Sequence, residues 1–118
     1  MIEDNRGLVL KDNVDLEFLK NLEPQFFSDY IKFVVNLEIN QVCVGMSLHA
    51  SSLISVPENK DNLLGGNIFF EDGHIEYNST LNVNINTKNK KFKGNPRIIT
   101  DQNLINRINL VLFAWVEL

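Results

Sequence analysis

The sequence predicts a single α+β domain spanning residues 1–118. The expected architecture is a two-layer sandwich, in which N-terminal and C-terminal helices cover one face of an antiparallel meander sheet of four to five strands. Two observations lead to this fold class. Polar and apolar residues alternate along much of residues 66–86, which is typical of a strand with one wet face. The flanking segments carry apolar residues at helical spacing. The apolar faces of these helices would be buried by packing against the apolar face of the sheet.

A hairpin at Asp72-Gly73 is the centre of the predicted sheet. Asp-Gly between two strand-like runs favours a two-residue type I′ turn, because both central positions of that turn need positive φ. With this turn, Phe70 faces Ile75 and Ile68 faces Tyr77 across the hairpin. Facing residues share a side of the sheet, so these four form one apolar patch.

The second strand of the hairpin is expected to continue to Asn86, because the alternation of residue types persists that far. One side of the sheet would pack against helices. The other side would stay open to solvent, carrying the polar side chains of Ser47, His49, Glu76, Thr80, Asn82 and Asn84.

Two helices are predicted before the sheet. The first begins near Asn13 or Asp15, either of which can cap free backbone N–H groups, and uses Leu16, Phe18, Leu19 and Leu22 as its apolar face. The second runs from Pro24 to about Glu38 and is so apolar that we expect it to cover the sheet. Residues 7–10 form a short edge strand or an anchored arm.

Further strands are expected at residues 42–48 and 53–56, followed by a polar loop at 58–66. Residues 87–96 read as a basic loop. A last helix, capped by Thr100 or Asp101, completes the chain. Its inward residues are Leu104, Ile105, Ile108, Val111, Leu112 and Trp115.

The charge distribution is asymmetric and favours a cationic partner. Residues 1–87 carry thirteen acidic and five basic residues, whereas residues 88–118 carry two and six. An acidic surface repels nucleic acid, so we expect no nucleic-acid partner. The single cysteine, Cys43, excludes an internal disulfide and fits a reducing cytoplasm. The acidic start lacks a signal-peptide pattern, and the apolar runs are too short to span a bilayer, so we expect a cytoplasmic protein.

Several short motifs between residues 30 and 106 resemble a small bacterial family of uncharacterised proteins. They are Tyr30-Ile31-Lys32 with Val35 and Glu38, Gly45 with Leu48-His49-Ala50, Leu63, Gly65, Asn67-Ile68, Ile75-Glu76, Ser79, Asn82 and Asn89-Lys90. Ser47, Ser51, Asn84 and Ile85 stand where the family places acids or an Arg-Pro pair, which implies that any site there is altered. The resemblance implies a fold and no particular reaction.

The residues that could carry chemistry each have a simpler structural interpretation. His49 could be a general base or metal ligand, or a partly exposed strand histidine. His74 is expected to form a surface ion pair with Glu71. A metal site of His49, His74 and Glu76 would need two strands in register. Cys43 is too far from His49 along one strand to form a dyad with it.

We therefore expect a non-enzymatic binding protein that needs no cofactor or metal. Its character is that of an immunity protein or antitoxin that neutralises a cationic bacterial toxin such as a nuclease, as a monomer or homodimer. The predicted partner-binding residues are Glu58, Asp61, Glu71, Asp72, His74, Glu76, Lys90 and Lys91. The alternative is a small ligand or metal bound on the open sheet face by His49 and Asn82. A homodimer formed through that face or the edge strands is a third possibility.

Overall fold

The computed structural model describes residues 7–22, 29–45, 57–88 and 90–118. Two predicted elements, the start of the second helix and the strand at 53–56, lie outside these ranges, as do the last residues of the strand predicted at 42–48. Within the described residues the chain is a mixed α+β fold with a five-stranded antiparallel sheet, which confirms the predicted fold class.

The antiparallel sheet has the strand order β1-β4-β3-β5-β6. These strands are β1 (Gly7–Val9), β3 (Tyr30–Asn36), β4 (Gln41–Gly45), β5 (Leu63–Phe69) and β6 (Ile75–Glu76). A second, small parallel sheet joins β2 (Val14–Asp15) to β7 (Val116–Glu117). The helices are α1 (Leu16–Leu22), α2 (Val83–Lys88) and α3 (Gln102–Trp115), and short 3-10 helices occupy Lys60–Asn62 and Thr80–Asn82.

One face of the sheet, here called the first face, packs against α1 and α3 to form the main core. Its buried members include Ile31, Phe33, Val35, Val42, Val44, Leu64 and Ile68 from the sheet, and Leu19, Leu104, Ile108, Val111 and Leu112 from the helices. Fully burying a side chain of this kind stabilises the fold by roughly 1.5–3 kcal/mol. This packing fixes the sheet as the rigid support of the opposite, second face.

The two terminal helices begin where the sequence places them. The Asp15 side chain accepts a hydrogen bond from the Phe18 N–H at 2.9 Å, and the Asp101 side chain accepts one from the Asn103 N–H at 2.9 Å. Both carboxylates satisfy N–H groups that a first helical turn leaves without a partner. Phe18 itself, expected on the apolar face of α1, is instead exposed.

The helix predicted over residues 24–38 is wrong for residues 30–36, which form the central strand β3. Ile31, Phe33 and Val35 point to the first face, and Val34 is buried on the second. A strand covered on both faces reads as a continuous apolar run and loses its period of two, so it resembles a buried helix.

The hairpin after β5 is also looser than predicted. Ile68 pairs with Ile75 and Asn67 with Glu76. The Phe69 N–H also donates to the His74 carbonyl, so the four residues 70–73, rather than two, connect the strands. Gly73 supplies the positive φ of 75° that the turn needs, and its N–H donates to the Phe69 carbonyl. Because the register differs by two residues, the side chains of the paired strands keep their predicted faces.

The long strand predicted to reach Asn86 ends at Glu76. Residues 80–88 instead form a 3-10 helix and α2, which cover part of the second face. Ser79 starts this helical segment, because its hydroxyl accepts a hydrogen bond from the Leu81 N–H at 3.2 Å. Leu81 packs there against Val34 and Cys43. The expected fully open second face is therefore wrong, and among the described residues this helical segment covers part of it.

Candidate functional site

The part of the second face that residues 80–88 do not cover presents two parallel rows of side chains across β3, β5 and the hairpin. The register pairs Tyr30 with Phe69, and the Phe69 N–H donates to the carbonyl of His74. We call Tyr30, Phe69 and His74 the aromatic row. Two residues further along, Lys32 pairs with Asn67 and Asn67 with Glu76. We call Lys32, Asn67 and Glu76 the polar row.

The aromatic row is a continuous stack of rings. The Tyr30 and Phe69 rings lie 5.2 Å apart between centroids with a 38° tilt. The Phe69 and His74 rings are 4.3 Å apart and nearly parallel. Such contacts hold the rings in place beyond what burial alone provides. The row is thus an ordered apolar platform at one end of the sheet.

Asp72 fixes the histidine at the end of this row. Its carboxylate accepts a hydrogen bond from the His74 backbone N–H at 3.0 Å and lies 2.6 Å from the His74 Nδ1. These two contacts, the backbone one first, hold the pKa of the Asp72 carboxyl below its ordinary value. The sequence-based pairing of His74 with Glu71 is wrong, because the wider turn brings Asp72 to the ring instead.

Carboxylates surround the aromatic row. Asp29 immediately precedes Tyr30, and its carbonyl accepts a hydrogen bond from the Phe70 N–H. Glu71 and Asp72 form the turn, and Glu76 follows on β6; all four acids are exposed. A shallow depression at this end is lined by Lys20, Asp29, Phe69, Phe70, Glu71 and His74. The surface therefore combines an aromatic centre with four acids and with Lys20 at its border.

The polar row contains a half-buried cation. The Lys32 Nζ donates a hydrogen bond to the Asn67 Oδ1 at 3.2 Å and lies 5.4 Å from the centroid of the Tyr30 ring. Burial lowers the pKa of the Lys32 amine, and the nearby Arg97 guanidinium lowers it further. Asn67 is 7% exposed, so its amide is a fixed part of the sheet surface.

Asn82, which the sequence places among ligand-binding residues on an open strand, is instead buried inside the fold. Its Oδ1 accepts a hydrogen bond from the Gly65 N–H at 3.0 Å. Its Nδ2 donates to the carbonyl oxygens of Gly65, Tyr77 and Arg97 at 3.0–3.1 Å. Its amide thus joins β5 to two other segments and has no surface left for a ligand.

The predicted partner-binding residues separate into three places. Glu71, Asp72, His74 and Glu76 lie together beside the aromatic row. Glu58 and Asp61 lie at the other end of β5, seven residues or about 20 Å away along a strand. Lys90 and Lys91 are exposed in the loop after α2. Of the eight predicted residues, only the four of the hairpin lie together.

The end of β5 that carries Glu58 and Asp61 is occupied by contacts within the fold. The Glu38 carboxylate accepts hydrogen bonds from the Asn59 N–H, the Asn62 side chain and the Glu58 N–H, each at 3.0 Å. In that order these contacts lower the pKa of Glu38. Asp61 forms an ion pair with Lys88. The carboxylates of Glu38 and Asp61 therefore stabilise this connection, to which Glu58 contributes its backbone N–H.

The remaining candidates from the sequence give no site in the described residues. His49 lies outside those residues. Cys43 is fully buried, and burial raises the pKa of its thiol to about 11, so it is a packed side chain. Among the residues that the structure describes, no group of three or more His, Cys, Asp and Glu side chains is arranged to hold a metal ion. No helix in the described ranges has the length and apolar character needed to cross a membrane.

Sequence reasoning did not include Tyr30, Lys32, Asn67 or Phe69 among the candidate site residues. The first two were assigned to a buried helix, so their strand partners could not be paired with them. The signal that could have found them is the β-branched content of residues 31–35 together with the polar Lys32 inside that run. A helix that is buried on most sides would also bury the lysine side chain. In a strand, the lysine side chain points to the opposite face of the sheet from its apolar neighbours.

Comparison with known proteins places the chain in a family without adding an activity. No curated protein and no solved structure shows significant similarity to it. The model of one family, described as "Protein of unknown function (DUF5674)", matches residues 8–113. This range contains the whole five-stranded sheet except Gly7, all the helices except the last two residues of α3, and both rows of the second face. The chain therefore belongs to DUF5674, an uncharacterised domain family, in keeping with the resemblance seen in its sequence.

Proposed function

We propose that this protein is a non-enzymatic binding module that neutralises a cationic protein, in the manner of an immunity protein or antitoxin acting on a basic toxin such as a nuclease. One observation carries the proposal: an ordered aromatic row, surrounded by four exposed acids, at one end of a rigid sheet. The proposed partner contacts this end of the protein through lysine and arginine side chains.

The chemistry of the surface suits those side chains. An arginine side chain pairs with carboxylates and lays its apolar stem on aromatic surface, so Asp72 or Glu76 can accept its N–H groups while its stem lies against the exposed ring edges of Tyr30 and Phe69. Binding energy in protein interfaces concentrates in a few aromatic and arginine contacts with polar surroundings. Tyr30 and Phe69 are the expected anchors, and the acids are the expected rim.

The net charge of −4 supports the same partner. Acids on a rim mainly raise the association rate of an oppositely charged protein, and salt screens that effect. The proposal therefore predicts fast association at low salt, slower association at high salt, and no turnover of a substrate.

The test uses a basic protein encoded next to this gene as the partner. We expect co-expression of the two to restore growth that the neighbour alone suppresses, and surface plasmon resonance to show a 1:1 complex. The double variant Asp72→Lys with Glu76→Lys should lower the association rate at least tenfold at low salt, and Tyr30→Ala should mainly raise the dissociation rate. Thermal unfolding of each variant confirms that the fold is kept.

Asp12→Lys is the matched control. Asp12 is exposed and follows Leu10, whose N–H bonds the Val42 carbonyl, so it lies at the opposite edge and end of the sheet from the hairpin. We expect this variant to bind like the wild type. Equal losses for the control and the double variant would mean that overall charge, rather than the hairpin end, governs association. A gene neighbourhood that encodes no toxic basic protein would contradict the proposal.

A further inference from the structure

A cleft of about 500 Å³ lies between α2, the loop that follows it and the first turns of α3. Three apolar residues line it, one from each wall: Ile85, Phe92 and Leu104. Polar side chains complete the lining, among them Asn86, Asn103 and Arg107. Small-molecule sites in proteins are typically clefts of roughly 300–1,000 Å³ with an apolar lining and a few polar groups. This cleft has the size and the composition of such a site.

The buried amide of Asn86 fixes the walls of the cleft. Asn86 is 8% exposed, and its Nδ2 donates hydrogen bonds to the carbonyl oxygens of Pro96 at 2.6 Å and Ile98 at 2.9 Å. These bonds hold the end of the loop against α2. The buried Ile99 comes next, and its N–H donates to the Tyr77 carbonyl, which anchors the segment that leads into α3. The cleft is therefore formed before a ligand arrives, which lowers the entropy cost of binding.

Phe92 is the aromatic wall of the cleft. Leu104 belongs to the main core and Ile85 packs against it, whereas among the described residues Phe92 packs against neither hydrophobic cluster. Its ring is nevertheless only partly exposed, because it lies along the cleft. The neighbouring loop residues are lysine, asparagine and glycine. The fold thus holds one aromatic ring outside the core, where an apolar group in the cleft can pack on it.

The cleft is built from the basic part of the chain. Residues 77–116 contain six basic residues and one acidic residue, Asp101. The Asp101 carboxylate accepts the Asn103 N–H at 2.9 Å as the cap of α3, and Arg107 lies about 9 Å further along the helix axis. Lys91 and Lys93 flank Phe92 and are exposed. The local charge therefore favours an anion, although the net charge of the whole chain is −4.

Arg107 is the side chain that can bind the anion. It lines the cleft, and its guanidinium donates a long hydrogen bond of 3.4 Å to the Asn62 Oδ1, which holds the side chain beside the cleft. A guanidinium carries five N–H donors in one plane, and a carboxylate can accept two of them side by side. The planar fork of Arg107 therefore matches a carboxylate group.

We propose that this cleft binds a small organic carboxylate with an aromatic or other apolar body. The carboxylate pairs with Arg107, and the apolar body packs between Phe92, Ile85 and Leu104. The site is independent of the proposed protein partner. Arg107 contacts Asn62, which directly precedes β5, whereas the hairpin follows the other end of that strand, about 20 Å away.

The experiment titrates the full chain with sodium 3-phenylpropionate, at constant ionic strength set with sodium chloride, and follows backbone amide shifts by NMR. We expect saturable shifts centred on Ile85, Phe92 and Arg107. The uncharged 3-phenylpropionamide and the ringless acetate should each bind at least tenfold more weakly, because each lacks one of the two groups that the cleft recognises. Equal binding of the amide or of acetate, or shifts centred elsewhere, would overturn the proposal.

Arg107→Gln and Phe92→Ala should each weaken the binding of 3-phenylpropionate by roughly tenfold or more. Arg107 is exposed, so its variant keeps the fold and tests the site even if Phe92→Ala is unstable. Two matched controls should bind like the wild type. Lys11→Gln removes an exposed charge just beyond the edge strand β1, and Phe113→Ala removes an exposed ring near the end of α3. Unchanged affinity in Arg107→Gln, or an equal loss in Lys11→Gln, would contradict the proposed site.

Discussion

Replacing Asn82 by alanine removes the contact that joins three segments of the second face. The Asn82 amide is 0% exposed and bonds both backbone groups of Gly65 and the carbonyls of Tyr77 and Arg97. In the alanine variant these four backbone groups lose their side-chain partner. No other residue reaches all of them, so we expect a large loss of stability.

The magnitude follows from the donors and acceptors of one amide. The amide oxygen accepts one hydrogen bond. The amide nitrogen has two N–H groups, which can make two full hydrogen bonds and here share them among three carbonyls. The alanine variant therefore loses three full hydrogen bonds. Each net bond is worth about 1 kcal/mol, and a buried group left unsatisfied costs about 1–3 kcal/mol. We therefore expect the free energy of unfolding to fall by about 3–5 kcal/mol, a large share of the roughly 5–15 kcal/mol typical of a domain.

The measurement is urea unfolding followed by circular dichroism, with Asn84→Ala as the control. Asn84 is an exposed asparagine two residues further along the chain, and its replacement should change the unfolding free energy by no more than about 0.5 kcal/mol. Asn82→Asp keeps the shape and the bond from Gly65, but it turns an acceptor toward three carbonyl oxygens. It should be at least as unstable as Asn82→Ala at neutral pH. A loss below about 1 kcal/mol for Asn82→Ala would refute the reasoning.

Three further predictions test the fold and the hairpin. Gly66→Ala should destabilise the protein by about 1–3 kcal/mol in urea unfolding, because the new Cβ would lie 2.4 Å from the Glu76 carbonyl oxygen. Cys43 should react with a thiol reagent at pH 8 only after unfolding, because burial raises its pKa to about 11. Asp72 has a pKa below its ordinary 3.8, so its bonds to His74 stabilise the fold above that value and are lost as the pH falls through the folded pKa. Asp72→Asn should therefore differ from the wild type more at pH 6 than at pH 3.

Each of these predictions has a result that contradicts it. An unchanged urea midpoint for Gly66→Ala would mean that the Glu76 carbonyl of β6 does not lie against Gly66 of β5 as described. Rapid labelling of native Cys43 would show that the second face opens near β4. A stability difference for Asp72→Asn that is as large at pH 3 as at pH 6 would show that the carboxylate charge plays no part in holding His74.

Much of the helical layer could be predicted from the sequence, because its signals are local. The Asp101 cap and the spacing of Leu104, Ile108 and Leu112 define α3 within a few residues of one another. The hairpin at Asp72-Gly73 was found for the same reason, and even its wrong length left the faces unchanged. In these segments the conformation is set by residues that are close together in the sequence.

The two rows of the second face could not be predicted, because they depend on which strands lie side by side. Tyr30 and Lys32 are more than thirty residues from Phe69 and Asn67, and only the pairing of β3 with β5 brings them together. The helices on the first face and Leu81 on the second cover β3 on both sides, so its sequence lacks the alternation that identifies a strand.

The sequence by itself determined the α+β class, the acidic charge, the caps of the terminal helices and the four hairpin residues from Glu71 to Glu76 that remain in the candidate site. Only the tertiary structure decided that residues 30–36 are the central strand, that Asn82 is a buried structural amide and that Tyr30 and Phe69 lie side by side. Caps and turns depend on neighbours in the chain, whereas strand pairing and burial depend on residues that are far apart in sequence and are fixed only when the core packs.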